Sequence, residues 1–407
     1  MEFYPPIKKN IIIDSLLSLL IMNSFERIWA ALNLEVPDRI PTHTINIDGN
    51  VADQILGRPN RTAFDVFDEL EEKYPEEYVE KINEILDDIE ISVFAKCVRA
   101  GHALGFDGVG IQYIPFIFES LEEMTDVFGK RHKIRNIDGN PYPDYYGGYI
   151  KDRKDWEAYP KPDLKEEYIK AKKFYKGVLR KCRDIKDEIC IFAQNALTSI
   201  FPPVWQGMGM QAFARALRND PELIKERFRF TTDYTLTTFK AYHDSGAKIF
   251  LEGGDIAHSG GPMINPKYFE QYVKPCYQEV AETIHSWGGK YILHTDGDVT
   301  SQLDFIVECG FDGLQCLEPP LVDLNMAKQK VGDKICLSGN IDTRHVLVKG
   351  TKEEVVNAVK YAIKALGPSG GAMISPANFH PQMSVLRLKW MIEAAHQFGE
   401  YPLYQKI

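Results

Sequence analysis

The chain has 407 residues, of which 44% are hydrophobic and 26% are charged, and its formal net charge is −10. This composition is that of an ordinary globular protein, and the acidic balance argues against binding to nucleic-acid phosphates, which needs a basic surface. The seven cysteines are odd in number and none has CxxC spacing. We therefore expect no disulfide framework and a reducing compartment, the cytoplasm.

The first 21 residues differ in character from the rest of the chain. Residues 10–22 are apolar, but they are interrupted by Asp14 and are too few to span a bilayer. Lys8 and Lys9 resemble the charged start of a signal peptide, yet no A-x-A-like cleavage site follows them. We treat residues 1–21 as an extension and expect a globular domain over residues 22–407, with no membrane association.

From residue 40 onward, short apolar runs that end in polar side chains alternate with amphipathic stretches of helical periodicity. Continuous apolar runs are typical of strands buried on both faces of a parallel sheet, and their alternation with helices indicates βαβ units. Eight such units predict an α/β fold, a (β/α)8 TIM barrel built as a single domain. The eight predicted strand runs are residues 40–48, 106–113, 188–195, 247–255, 289–296, 311–318, 334–342 and 371–378.

Two of the intervening stretches predict helices from their ends as well as their periodicity. Residues 351–366 begin with a Thr at the N-cap position, carry Glu three residues later and are followed by Gly367. Residues 266–287 have the same character. Residues 115–167 differ, because their middle is rich in Gly, Pro, Tyr and Asp; we predict an insertion between the second and third strands, with a hairpin that covers the barrel mouth.

Polar side chains close all eight apolar runs, and in a barrel these strand ends converge on one face. We expect some of them to bind substrate and about half to satisfy loop backbone groups instead. Trp205 joins the substrate-binding candidates because an aromatic, Met- and Gly-rich segment can form an adaptable apolar wall. Gln315 also ends a run, but the sequence assigns it no role. The substrate-binding candidates are His43, Asn46, Gln112, Asn195, Trp205, Asn340, Asn378 and His380.

His294 and Asp296 form the most specific pattern in the chain. Residues i and i+2 at a strand end point the same way, so an imidazole and a carboxylate lie side by side. Such a pair can ligate a divalent metal such as zinc, or can be a neutral His held by an Asp hydrogen bond without metal. Two ligands do not complete a zinc site.

The segment from Glu252 to His258 is the second candidate. Its glycines allow the backbone to approach a ligand, and Glu252 or Asp255 can supply a third ligand, a general base or a substrate hydrogen bond. The alternative is a glycine-rich turn whose Asp caps a helix. The predicted catalytic residues are thus Glu252, Asp255, His294 and Asp296, and the predicted metal ligands are His294, Asp296 and Glu252.

Four segments, taken in order, resemble the uroporphyrinogen decarboxylase superfamily over nearly the whole chain from Met22. In that family they correspond to the entry to the first strand, the segment after the fourth strand, a G-N-[IV]-D stretch and the last strand. They read FERIWAALNLEVPDRIP, GGDIAHSGGPMINPKYFEQYVKPCYQEV, LSGNIDTRHVLVKGTKEEV and GGAMISPANFHP.

The superfamily that the chain resembles has two large branches, the decarboxylases and a group of methyltransferases. Decarboxylases of this family carry an R-Q-A-G-R-Y motif whose arginines hold substrate carboxylates, but residues 40–48 here contain no arginine. The other large branch contains cobamide-dependent methyltransferases, whose coenzyme M members hold zinc with an H-x-C pair and a later cysteine. The corresponding positions here are His294-Thr295-Asp296 and the neighbourhood of Asn378, so both thiolates are missing.

This departure has a chemical consequence. Imidazole, carboxylate and amide ligands leave a metal harder than thiolates do, and a harder metal better polarises an oxygen leaving group. The resemblance therefore implies an O-demethylase-like enzyme that moves a methyl group from a methoxylated aromatic compound, or from another methoxylated or methylated small molecule, to the cobalt of a corrinoid on a separate protein, with Zn²⁺ as the candidate metal. Without a metal, Asp296, Glu252 or His294 can serve as general acid.

Three alternatives stay open. The first is a methylcobamide:coenzyme M (thiol) methyltransferase with unusual ligands. The second is a decarboxylase, of the uroporphyrinogen type or of a smaller acid. The third is a non-catalytic barrel that binds a corrinoid protein, because fold alone fixes function weakly.

Overall fold

Eight parallel strands form one sheet in the computed structural model, which describes residues 22–58, 63–137 and 140–403. A parallel bridge between Thr42 and Ile374 joins the first strand to the last, so the sheet closes into the predicted barrel. Each predicted apolar run contains one barrel strand. These strands are β1 (His43–Thr44), β2 (Gly108–Ile111), β7 (Cys190–Gln194), β8 (Ile249–Gly253), β11 (Lys290–His294), β12 (Gly313–Cys316), β13 (Cys336–Gly339) and β14 (Ala372–Met373).

Helices surround the barrel and cover its outer face. The helix predicted over residues 351–366 runs from Lys352 to Leu366, and Thr351 caps it in a reciprocal capping box with Glu354. The helices are α1 (Ser24–Leu32), α2 (Gly49–Leu56), α3 (Ala63–Lys73), α4 (Tyr78–Leu104), α5 (Arg153–Ala158), α6 (Leu164–Lys181), α7 (Phe201–Met208), α8 (Met210–Asn219), α9 (Pro221–His243), α10 (Pro266–Tyr268), α11 (Lys274–Ser286), α12 (Leu303–Glu308), α13 (Leu324–Val331), α14 (Lys352–Leu366) and α15 (Val385–Phe398).

The stretch predicted as one helix over residues 266–287 is divided by a π-helical turn. Pro266–Tyr268 is a short α-helical piece, Phe269–Val273 forms the wider turn, and Lys274–Ser286 continues as α11. Pro266 lies at the first helical position, where its missing N–H is not needed. In the part of the chain that the structure describes, no helix is long and apolar enough to cross a membrane.

Helix α1 packs against the N-terminal end of the barrel interior. Ile28 and Leu32 belong to the buried cluster that fills the barrel, together with side chains such as Phe192 and Ile292. Gly108 makes room for this helix, because a Cβ atom there would lie 2.9 Å from the Cδ1 atom of Ile28. Burying each such aliphatic or aromatic side chain stabilises the fold by about 1.5–3 kcal/mol. With this end filled, the opposite end of the barrel is available for a site.

The insertion between the second and third barrel strands is a four-stranded antiparallel sheet, which extends the predicted hairpin. Its strands follow one another in the order β3 (Phe116–Phe118), β4 (Glu123–Asp126), β5 (Lys130–Ile137) and β6 (Asn140–Gly148). The Lys130 ammonium donates to the Leu197 carbonyl at 2.5 Å, and the Tyr145 hydroxyl donates to the Gln206 carbonyl at 2.8 Å. Both carbonyls follow β7, so the insertion flanks the C-terminal mouth of the barrel.

Candidate active site

His294, Asp296 and Asp255 come together at the C-terminal mouth of the barrel. His294 is the last residue of β11, and Asp255 follows the neighbouring strand β8. One potential ligand atom from each of the three lies within 4.8 Å of the others, and the Nε2 atom of His294 lies 3.8 Å from the Oδ1 atom of Asp296. The Asp296 backbone N–H donates to the Oδ1 atom of Asp255 at 3.1 Å. The predicted His–Asp pair therefore has a second carboxylate beside it.

Gln315 fixes the orientation of the His294 ring. The two residues are register partners on β11 and β12, and the Nδ1 atom of His294 contacts the Oε1 atom of Gln315. The Gln315 amide nitrogen donates to the carbonyls of Pro376 and Ala377, both at 3.1 Å, so its carbonyl oxygen must face the ring. The Nδ1 atom of His294 then carries the proton, and the Nε2 lone pair is directed toward Asp296.

Asp296 is held by hydrogen bonds to both of its oxygens. The Asn378 amide donates to Oδ2 at 2.9 Å, and the Cys316 thiol donates to Oδ1 at 3.2 Å. Cys316 is buried, and its burial together with the charge of Asp296 raises the pKa of its thiol well above the ordinary range. The thiol thus remains a neutral hydrogen-bond donor to Asp296.

Asp255 lies exposed at the rim of the mouth. The protein atoms around the Asp255 carboxylate limit its hydration and thereby raise its pKa. The negative charge of Asp296 raises this pKa further, whereas His294 lowers it. Residues 257–262 form a small hairpin of β9 (Ala257–His258) and β10 (Gly261–Pro262), so Asp255 does not cap a helix. Asp255, rather than Glu252, is therefore the third member of the cluster.

Glu252 lies in a different layer, on the outer face of the barrel wall. Contrary to our prediction, it therefore does not join His294 and Asp296. Its carboxylate accepts hydrogen bonds from the Ile200 backbone at 2.7 Å, the Asn195 amide at 2.9 Å and the Tyr291 hydroxyl at 3.0 Å. Neighbouring Leu251 points into the barrel, and alternation along a strand turns Glu252 outward. Complete burial raises the pKa of Glu252 to about 7.

Asn195 shares this outer layer with Glu252. It follows β7, donates to the Glu252 carboxylate and to the Thr235 hydroxyl, and is only 1% exposed. The prediction that Asn195 binds substrate therefore finds no support in its position. Like Glu252, it belongs to the contact between the strands and the surrounding helices.

His43 points into the barrel interior and is fully buried. Its Nε2 atom lies 2.6 Å from the Ser338 hydroxyl, and its ring packs against Phe192 with the ring centroids 5.0 Å apart. Burial, reinforced by the proximity of His294, lowers the pKa of His43 to about 3, so the ring is neutral. The predicted contact with substrate is not available to a side chain enclosed in this way.

Three further substrate-binding candidates bind loop backbone, as expected for part of the set. The Asn46 side chain accepts from the Ile47 N–H at 2.8 Å. The Gln112 side chain accepts from the Leu197 N–H at 3.2 Å, and the Asn340 amide donates to the Leu317 carbonyl at 3.0 Å.

The remaining candidates, Trp205 and His380, are half-buried. Trp205 lies on α7 and packs edge-to-face against Tyr145 of the insertion, with ring centroids 5.7 Å apart. His380 follows Asn378, and its Nδ1 atom accepts from the Gln382 N–H at 3.1 Å. Their roles as substrate-binding residues stay predictions.

The sequence model of the uroporphyrinogen decarboxylase (URO-D) family matches residues 133–398. The chain belongs to the uroporphyrinogen decarboxylase family. The predicted superfamily is thus confirmed, and its site combines one imidazole with two carboxylates.

Proteins related to this chain include both methyltransferases and a decarboxylase. A methylcobamide:CoM methyltransferase from Methanosarcina barkeri is 20% identical, with 91% of this chain and 97% of that protein aligned. A methylated-thiol–coenzyme M methyltransferase from Methanosarcina mazei is 26% identical, but the alignment spans 41% of this chain and 43% of that protein. A uroporphyrinogen decarboxylase from Alkalilimnicola ehrlichii is 26% identical over 45% of this chain and 49% of that protein.

The fold agrees with a solved structure described as a methyltransferase from Methanosarcina mazei. The TM-score is 0.69 at 19% identity, with 93% of this chain and 99% of that chain covered. This likeness confirms the barrel fold. The methyltransferase branch is supported by the relatives that are named as methyltransferases.

Proposed function

We propose that this family member is a corrinoid-dependent methyltransferase that takes a methyl group from an oxygen-bound donor, such as a methoxylated aromatic compound, and passes it to the cobalt of a corrinoid protein. The observation that carries the proposal is the cluster of Asp255, His294 and Asp296 at the barrel mouth. The relatives named as methyltransferases support the reaction class. The donor itself rests on the chemistry of the cluster.

The three side chains fit a divalent metal such as zinc. Gln315 leaves the Nε2 lone pair of His294 available, and two carboxylates complete a three-ligand set, which is the number that catalytic zinc sites use alongside one open position. A zinc ion bound there would act as a Lewis acid toward the donor oxygen. Because the set contains no thiolate, it suits an oxygen leaving group better than the activation of a thiol.

The chain's own residues would hold and orient the reacting groups. Gln315 maintains the His294 tautomer, and Asn378 fixes the Asp296 carboxylate through the bond to Oδ2. Trp205 and Tyr145, which pack together where α7 meets the insertion, offer an aromatic surface for a ring-bearing donor. The site lies at the mouth, where a corrinoid presented by a separate protein can approach it.

The test is an anaerobic absorbance assay. The zinc-loaded enzyme is mixed with cob(I)alamin, or with a cognate corrinoid protein, and with one member at a time of a panel of methoxyaromatics and methylamines. We expect conversion of the Co(I) spectrum to that of methyl-Co(III) with a methoxyaromatic, lost in His294→Ala. No conversion with any donor would contradict the proposal.

A second candidate is thiol methylation from a methylated corrinoid. It is favoured by the methylcobamide:CoM methyltransferase that aligns over 91% of this chain. In the same apparatus, loss of methylcobalamin on adding coenzyme M, without any donor-side reaction, would establish this candidate instead.

A further inference from the structure

Five polar side chains form a continuous chain of contacts inside the barrel, from the metal-site histidine to His43. The Nδ1 atom of His294 contacts Gln315, whose amide nitrogen lies 3.3 Å from the Ser375 hydroxyl. The Ser375 hydroxyl lies 3.4 Å from that of Ser338, which lies 2.6 Å from the Nε2 atom of His43. All five side chains are buried.

The register of the strands places these residues at one level of the barrel. His294 pairs with Gln315, and Gln315 pairs with Ser338. Their side chains therefore point inward from three adjacent strands. His43 lies at the same level on the first strand. Its backbone N–H donates to the carbonyl of Ile374, the residue before Ser375.

The hydrogen bonds can all point in one direction. Gln315 must donate toward Ser375, because its amide nitrogen also serves the carbonyls of Pro376 and Ala377. The Ser375 proton can then go to Ser338, and the Ser338 proton to His43. In this order each hydroxyl hydrogen has one acceptor, the two amide hydrogens of Gln315 are shared among Ser375, Pro376 and Ala377, and the Nε2 atom of His43 is the terminal acceptor. Aligned hydrogen bonds in a low-dielectric interior strengthen one another.

We propose that Ser375, Ser338 and His43 are positioning residues for the metal site, which act through Gln315 to hold His294 in the tautomer whose Nε2 atom can bind metal. His43 has no hydrogen-bond partner at Nδ1 among the described residues, so Ser338 provides its polar contact. Loss of Ser338 leaves Ser375 without the acceptor for its proton and weakens the hold on Gln315. The inference rests on the metal site of the proposed function.

The experiment measures two properties of Ser338→Ala and Ser375→Ala. The first is zinc affinity, by competition with a chromophoric chelator. The second is the ¹⁵N chemical shift of the His294 ring in metal-free protein labelled at histidine, with the signals of His294 and His43 assigned from His294→Gln and His43→Gln. Ser199→Ala is the matched control, because Ser199 is fully buried and its hydroxyl has no partner among the described residues.

We expect both serine variants to bind zinc about tenfold more weakly, the lower end of the range for residues that support a metal ligand. We also expect Ser338→Ala to move the ring signals of His294, which it does not contact, and the control to change neither property. Unchanged zinc affinity and unchanged His294 signals in both variants would overturn the inference.

The two measurements separate this inference from the proposed function. If the wild-type protein does not bind zinc, the proposed metal site fails. The ring signals of the metal-free protein still test whether Ser338 acts on His294 through Ser375 and Gln315. Shifted His294 signals in Ser338→Ala support this action, and unchanged signals overturn it. Because Gln315 retains the Pro376 and Ala377 carbonyls when Ser375 is removed, we expect Ser375→Ala to fold.

Discussion

The Nε2 atom of His294 lies 3.8 Å from the Oδ1 atom of Asp296 at the mouth of the barrel. The two residues are separated by one position at the end of β11, so the strand geometry brings them to the same side. Each is held from a different direction, His294 by Gln315 and Asp296 by Asn378. This pair, joined by Asp255, is the structural basis of the proposed metal site.

Removing either member of the pair should remove metal and activity together. We expect His294→Ala and Asp296→Asn to lose bound zinc, measured by elemental analysis, and to lower the rate of methyl transfer by at least about 100-fold, because the Lewis acid is lost. The control is His285→Ala, which removes an imidazole paired with Asp312 at 2.8 Å at the other end of the barrel. Full activity in His294→Ala would contradict the assignment.

Exchanging oxygen ligands for thiolates should change the preference of the enzyme. In Asp296→Cys/Asn378→Cys we expect tighter zinc binding, since thiolates are strong zinc ligands, together with a gain in coenzyme M methylation and a loss of donor-side transfer. The two rates are measured from the corrinoid spectra. The double variant with Ser at both positions controls for side-chain size. Equal donor-side rates in the Cys variant and the wild type would show that ligand hardness does not select the reaction.

The buried Glu252 carboxyl should make stability depend on pH. Its pKa is about 7 in the folded protein against an ordinary 4.5, so the folded state keeps a proton that the unfolded state releases between these values. Stability therefore falls as pH rises through this window and is level above it. Glu252→Gln has no carboxyl group to titrate at this position. The difference in unfolding free energy between this variant and the wild type should therefore shift in favour of the variant by on the order of 2–3 kcal/mol from pH 4.5 to pH 8. Parallel denaturation profiles across this range would refute it.

Two neighbouring glycines should respond differently to the same substitution. A Cβ atom at Gly148 would lie 2.3 Å from the backbone of Gly207, whereas one at Gly147 would meet nothing within 4 Å. We expect Gly148→Ala to lower the unfolding free energy by about 1–3 kcal/mol because it forces the insertion away from α7. Gly147→Ala should stay within about 0.5 kcal/mol of wild type. Chemical denaturation followed by circular dichroism distinguishes them, and equal effects would contradict this packing.

The insertion should contribute to donor binding, because it flanks the mouth and its Tyr145 packs on Trp205. Replacing residues 116–148 by a short Gly- and Ser-containing linker should raise the donor KM several-fold and leave the circular dichroism of the barrel helices intact. An unchanged KM in a folded variant would show that the insertion does not cover the donor site. Tyr145→Phe, which keeps the ring and removes the bond to the Gln206 carbonyl, is the mild control.

The barrel was predictable from the sequence because eight short apolar runs that end in polar side chains alternate with stretches of helical periodicity. The His294–Asp296 pair was predictable because residues i and i+2 of a strand share a face. The position of Glu252 was not, since Phe250 and Leu251 are both apolar and give no sign of which faces inward. The contact between Gln315 and His294 depends on the register of two strands, which the sequence does not specify. The predicted extension, residues 1–21, lies outside the described residues.

X-ray absorption at the zinc edge of the zinc-loaded protein tests directly whether the site at the barrel mouth is an oxygen-rich zinc site. We predict one zinc per chain, with an imidazole contribution, nitrogen and oxygen neighbours at about 2.0–2.2 Å, and no sulfur neighbour. Loss of the bound zinc, and with it of the spectrum, in His294→Ala would agree with this site. A sulfur neighbour at about 2.3 Å in the wild-type protein, or an unchanged spectrum in His294→Ala, would contradict the oxygen-rich site on which the proposed function rests.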